Sequence, residues 1–270
     1  MRPCYSYGPK LRFNHFTHIT DREPIMEISF KGKTALVTGA TKGIGREIAK
    51  QLVKCGADVI ATGRSQSDLD SLKEECPSIQ TISVDLKDWN ATRDALKTID
   101  NIDLLVNNAG VALLEPILDI SEANIDQSFA VNLKSMINLT QIVGKSLIQR
   151  KVPGSIVNVS SQASMRAVQD HAVYCATKAA VDAFTKVSAL EFGPHGIRVN
   201  CVNPTVVMTD MGRIGWSDPA KADPFRERIP LKRFAEVSEV VDAVLFLLSD
   251  KATMISGSCL PIDGGCLAVV

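Results

Sequence analysis

The stretch Thr38-Gly39-Ala40-Thr41-Lys42-Gly43-Ile44-Gly45 restricts this chain more than any other, because of what lies on either side of it. Lys33 to Thr38 is a short β-prone run, Lys42 to Lys54 reads as a helix, and Ala57 to Thr62 is apolar again. A strand, a glycine turn, a helix and a second strand make a crossover unit whose two strands run parallel. Gly39, Gly43 and Gly45 let the backbone turn tightly and come close to a pyrophosphate, with Thr41, Lys42 and Ile44 between them. The helix that follows offers unpaired N–H groups and a positive dipole end to such an anion.

The same alternation continues along the chain. Strands are expected at Ile79 to Val84, Ile102 to Val106, Ser155 to Ser160, Ile197 to Val202 and Ser258 to Ile262. Helices are expected at Asn90 to Thr98, Ile125 to Gln149, Val173 to Phe192 and Val237 to Leu248. Met208 to Asp223 mixes Gly, Pro, Trp and charge and reads as a mobile lid. Over 270 residues there is no linker-like stretch and no internal repeat. The expected fold is one α/β catalytic domain over residues 26–270, a doubly wound Rossmann-type sheet of about seven parallel strands with helices on both faces.

Composition excludes several kinds of partner. Lys plus Arg and Asp plus Glu number 30 each, so no strong field recruits nucleic acid or an anionic membrane. Seven cysteines are scattered without a C-x-x-C pair or a zinc-like His spacing, which points to a reduced intracellular protein and no metal. Ala243 to Leu248 lies between Asp242 and Asp250 and is too short to cross a bilayer. Residues 1–25 are basic and acid-poor, as a mitochondrial presequence can be, but Pro3 and Pro9 weaken a helix there. A disordered extension, or an upstream start with Met26 as the working initiator, is the preferred reading, and the cytoplasm is the expected location.

Chemistry concentrates in Tyr174-Cys175-Ala176-Thr177-Lys178. On a helix, residues four apart share a face, so a phenol and an ammonium stand side by side. A nearby cation favours the phenolate, which makes Tyr174 a tunable acid or base. At the end of the second strand the chain reads Thr62-Gly63-Arg64-Ser65, and no acid appears before Asp68. A carboxylate there would bond the ribose 2′-hydroxyl of NAD; Arg64 and Lys42 can instead neutralise a 2′-phosphate, which favours NADP(H).

The glycine turn, Asn107-Asn108-Ala109-Gly110, Ile156-Val157-Asn158-Val159-Ser160-Ser161 and the Tyr174/Lys178 pair resemble the short-chain dehydrogenase/reductase family in order and rough spacing, from about Met26 to the C-terminus. That resemblance implies a carbonyl reductase in which Tyr174 supplies the proton, while Lys178 lowers the tyrosine pKa and holds the cofactor ribose. Ser161, thirteen positions before Tyr174, would hold the substrate carbonyl, with Ser160 as its competitor. Asn132 would sit in a distorted helix through which a water connects the lysine to solvent. Asp85 and Leu86 would lie against the adenine. Asn108, Ala109 and Gly110 would line the cofactor, and Val207 and Thr209 would follow the sixth strand beside the nicotinamide carboxamide. Gln162, Val168, His171 and Trp216 would line the substrate, and the polar pair among them suits a small polar ketone. The resemblance also implies a homotetramer, into which the short apolar C-terminus could be buried. A serine hydrolase is disfavoured because no G-x-S-x-G surrounds Ser160 or Ser161. A 3-oxoacyl carrier-protein reductase, or a cofactor-binding regulator without catalysis, stays open.

Overall fold

The computed structural model describes residues 27–269. The expectation for residues 1–25 falls outside them. Seven strands, β1 (Thr34–Thr38), β2 (Asp58–Gly63), β3 (Gln80–Ser83), β4 (Leu104–Asn107), β5 (Gly154–Val159), β6 (Ile197–Pro204) and β7 (Cys259–Ile262), form one parallel sheet in the order β3-β2-β1-β4-β5-β6-β7. The order reverses between β1 and β4, and in open sheets of this kind ligands bind beyond the strand ends at that point.

Alternate residues of each strand face opposite sides, and both sides are apolar. Val37 and Val106 point to α1 (Gly43–Lys54) and α9 (Val237–Leu248), where Ile48, Leu52, Val244 and Leu248 meet them. Leu36, Leu105 and Ile156 point to the other layer, built from α3 (Trp89–Leu96) and α5 (Ser135–Arg150), where Leu96, Leu139 and Leu147 close the core. A parallel sheet has to be covered on both faces, and these two layers do so.

Polar side chains tie the covering helices to the strand ends nearest the reversal. Asn107 of β4 donates to Asn158 Oδ1 of β5 at 2.8 Å and to Thr140 of α5 at 3.2 Å. Asn158 in turn donates to Thr185 of α6 (Ala172–Phe192) at 2.9 Å. A buried amide left unpaired costs about 1–3 kcal/mol, so this chain of bonds fixes where α5 and α6 meet the sheet.

One expectation needs correction. The single long helix over Ile125 to Gln149 is two helices, α4 (Glu122–Phe129) and α5, joined through a wide turn of π type over Ala130–Lys134. The extra residue in that turn shifts the apolar stripe too little for periodicity to show it. Met208 to Asp223, expected as a mobile lid, holds α7 (Asp210–Gly215) and the start of α8 (Pro219–Arg226). Trp216 packs with Phe225 and Phe234 there, at ring separations of 5.1 and 5.2 Å. The remaining helix, α2 (Gln66–Glu75), crosses from β2 to β3.

Candidate active site

The glycine turn is clamped to the exit of β4. Thr38 Oγ1 accepts from Asn108 N at 2.9 Å and Ala109 N at 3.0 Å, and Asn108 Nδ2 donates to the carbonyls of Thr38 and Gly39 at 2.9 and 3.1 Å. The approach leaves no room for side chains. A Cβ on Gly45 would lie 2.3 Å from Asn108 Nδ2, and one on Gly39, whose φ is +61°, would lie 2.9 Å from the Ala109 Cα. Lys42 begins α1 without a side-chain cap, so the first N–H groups of the helix open onto the clamped turn.

Two adjoining cavities of about 310 and 390 Å³ run along the strand ends and share Lys42, Asn108, Gly110, Val111 and Met211. The first is walled by Gly39, Thr41, Arg64, Asp85, Leu86 and Ala109. The second is walled by Gly43, Ile44, Ser161, Tyr174, Lys178, Val207 and Thr209. A dinucleotide fits this shape, with its diphosphate at the cradle that only glycine permits and its two ends in the two cavities. Arg64 is exposed at the end of β2 and makes no ion pair among the described residues, whereas Lys42 is 3.1 Å from Asp68. The free guanidinium is the group suited to a 2′-phosphate.

At the far end of the cleft stand Tyr174 and Lys178, one turn apart on α6. Lys178 is 4% exposed, its Nζ donates to the Val159 carbonyl at 2.8 Å, and it lies 5.6 Å from the Tyr174 ring centre. Burial brings the lysine pKa down to about 8, against the opposing pull of Asp182. The phenol behaves in the opposite way from the expectation that Lys178 lowers its pKa. Loss of water around the hydroxyl raises it, and the Ser161 hydroxyl beside it offsets only part of that rise. A desolvated ammonium already committed to a carbonyl does not compensate for the removal of water from the phenol. At neutral pH Tyr174 therefore holds its proton and is ready to donate it.

The two candidate serines are separated by their partners. Ser160 is buried and donates to the Lys178 carbonyl at 3.2 Å, which anchors α6 to β5. Ser161 accepts from Ala163 N at 3.1 Å and leaves its hydroxyl at the cleft. Asn132 lies in the π-type turn, fully buried, and bonds the backbone of Val111 in both directions at 2.8 and 2.9 Å and Thr177 at 3.0 Å. It braces the wall of the cleft and reaches Lys178 through its neighbours.

The residues expected to line the substrate are placed differently. Gln162 is 4% exposed and turned into the protein, Trp216 belongs to the aromatic cluster, and neither walls the cleft. Val168 is half-buried in the segment before α6 and also lies off the cleft wall. His171 caps α6 and meets the Tyr174 ring edge-on at 6.1 Å. Side chains at an irregular strand exit have no periodic direction, which is why the sequence could not place them. Two groups were missed. Asp210 and Met211 wall the cleft from α7. Asn203, held by both Asp182 oxygens at 3.1 and 3.0 Å, donates to the Ser161 carbonyl at 3.2 Å and to Ser164 at 2.9 Å. Asp182 could have been found, since it falls four residues past Lys178 on the same helix face.

The family model described as enoyl-(acyl carrier protein) reductase matches residues 39–266, and the chain belongs to the short-chain dehydrogenase/reductase family. Particular members are much closer. The chain is 58% identical over 243 residues to L-xylulose reductase of Bos taurus, covering 90% of this chain and 100% of the relative. It is 52% identical over 243 residues to carbonyl reductase (NADPH) 2 of Sus scrofa, with 90% and 100% covered. Among solved structures it resembles a gluconate 5-dehydrogenase from Burkholderia cenocepacia in complex with NADP and tartrate, with a TM-score of 0.84, 28% identity, and 90% and 98% of the two chains covered.

Lys178 generates a test that needs no substrate. The displacement of its pKa from 10.5 to about 8 sets about 3 kcal/mol against folding while the lysine is charged. Lys178→Met is expected to be about 2 kcal/mol more stable than the parent at pH 7, once a lost hydrogen bond is allowed for. Between pH 8 and 10.5 the unfolded parent keeps a proton that the folded parent has released, so the parent gains stability and the difference closes. Urea unfolding across that range measures it; a variant less stable at pH 7 would show that the ammonium is not held at a cost.

Proposed function

We propose that the chain is an NADPH-dependent carbonyl reductase of small polar ketones, with L-xylulose as the leading substrate, reduced to xylitol, and α-dicarbonyls such as diacetyl accepted as well. The observation that carries this reading is that Tyr174, Ser161 and Lys178 stand together on the wall of a cleft that a dinucleotide fits. NADPH, when bound, supplies the hydride.

Arg64, with Lys42 beside it, would hold the 2′-phosphate, the N-terminus of α1 would hold the diphosphate, and Lys178 would hold the ribose hydroxyls. Ser161 and Tyr174 both donate to the carbonyl oxygen, which becomes an alkoxide as the carbon is reduced. Preorganised donors at such an oxygen are worth about 10²- to 10³-fold in rate each. Tyr174 then transfers its proton to the alkoxide, and the phenolate left behind is stabilised by the Lys178 ammonium, which predominates below about pH 8. Asn132 and Asn203 keep the cleft wall and Ser161 in place.

The expected assembly is a homotetramer and the expected location the cytoplasm, with residues 1–25 as an extension to a catalytic domain over 26–270. No helix among the described residues is long and apolar enough to cross a membrane.

Tyr174→Phe is expected to lower kcat for L-xylulose by at least about 10²-fold while NADPH still binds, as followed by nucleotide fluorescence. Loss of binding along with turnover would make the tyrosine structural. Arg64→Asp is expected to lower the NADPH-to-NADH ratio of kcat/KM by about tenfold to a hundredfold, the worth of a charge-assisted hydrogen bond. An unchanged ratio would remove Arg64 from phosphate recognition.

A further inference from the structure

Behind Ser161, on the side of the sheet that α6 covers, three metal-ligating side chains from three elements converge. The carboxylate of Asp182 on α6 and the thiols of Cys201 on β6 and Cys259 on β7 have ligand atoms within 4.8 Å of one another. The topology brings them together. Cys201 and Cys259 are direct partners in the register of β6 and β7, and Cys201 and Asn203, two apart on one strand, face the same way. Cys201 Sγ lies 3.5 Å from Asp182 Oδ1 and 3.4 Å from Asn203 Oδ1. With Zn–S near 2.3 Å and Zn–O near 2.0 Å, the S···O edge of a zinc tetrahedron is about 3.5 Å.

The surroundings suit a soft dication. Cys201 is fully buried and Asp182 8% exposed, while Cys259 is partly exposed and opens a route inward. Two thiolates and a carboxylate around a dication leave one negative charge. Lys186, one turn past Asp182 and close enough to act on Cys259, offsets it. On the other side Asp182 acts on Lys178.

We propose that Asp182, Cys201 and Cys259 form a binding site for a thiophilic dication, Zn²⁺, and that its occupancy slows the reductase. On binding, two S–H bonds break, two protons pass to the buffer, and two Zn–S bonds and one Zn–O bond form with no change of oxidation state; a water completes the tetrahedron. A carboxylate drawn to the ion releases Asn203, the residue that holds the Ser161 carbonyl. The binding half stands on the geometry alone, and the inhibitory half rests on the reading of Ser161 above.

Cd²⁺ is the spectroscopic probe, titrated into the reduced full chain. The expected result is a sulfur-to-cadmium charge-transfer absorption saturating at one ion per chain with two protons released. The affinity should fall by about 100-fold or more in Cys259→Ser, since loss of even an outer partner costs 10- to 100-fold. In the unaltered chain Zn²⁺ should protect Cys259 from alkylation and leave Cys55 and Cys76 reactive, which tests the site even where a variant fails to fold. No absorption, an absorption unchanged in Cys259→Ser, or an unprotected Cys259 would overturn the site. Zn²⁺ should also lower kcat of the parent but not of Cys259→Ser. Binding with unchanged turnover would overturn the coupling while leaving the site standing.

Discussion

Lys178 carries an ammonium group to a nearly buried position on the cleft wall, and much of the surrounding architecture holds it there. Its hydrogen bond to Val159 ties it to β5, Ser160 ties the backbone of the same residue to the same strand, and Asp182 one turn further along α6 supplies the nearest opposite charge. A buried charge is stable only when such partners are fixed in advance. The buried amide chain from Asn107 through Asn158 to Thr185 does that fixing, because it holds α6 in one position against the sheet.

From that constraint the division of labour in the cleft follows. Both members of the pair lose part of their water on folding, which raises the pKa of the phenol and lowers that of the lysine. The two pKa values move apart, the phenol's upward and the lysine's down to about 8, so the phenol is the member that holds its proton more firmly. The phosphate end of the cleft works by the opposite means, with exposed cations, an uncapped helix end and a backbone cradle that tolerates no Cβ. One fold thus offers a buried cation beside a phenol at one part of the cleft and exposed cations over a backbone cradle at the other.

Much of this was legible in the sequence, for local reasons. The bounds of α9 coincide with the expected Val237 to Leu248 because Glu236 and Glu239 form a capping box ahead of a continuous apolar face. The glycine turn announced itself because only glycine tolerates its contacts. Tyr174 and Lys178 could be placed because residues four apart on a helix share a face, and Ser161 because the family resemblance sets a serine thirteen positions before Tyr174. What could not be read depends on atoms brought from elsewhere. The direction of the Tyr174 pKa depends on desolvation, which neighbours on other strands decide. Gln162 and Trp216 turn inward because of partners far along the chain. The thiols of Cys201 and Cys259 are fifty-eight residues apart in sequence and adjacent only through strand pairing.

The central claim is that Lys178 is held charged, or nearly so, in a desolvated position beside Tyr174. NMR titration of the folded chain, with lysine side chains isotopically labelled and Lys178 assigned by substitution, measures this directly. The account predicts one lysine with a midpoint near 8, well below the ordinary value near 10.4 of exposed lysines. A Lys178 resonance that titrates together with the exposed lysines would contradict it.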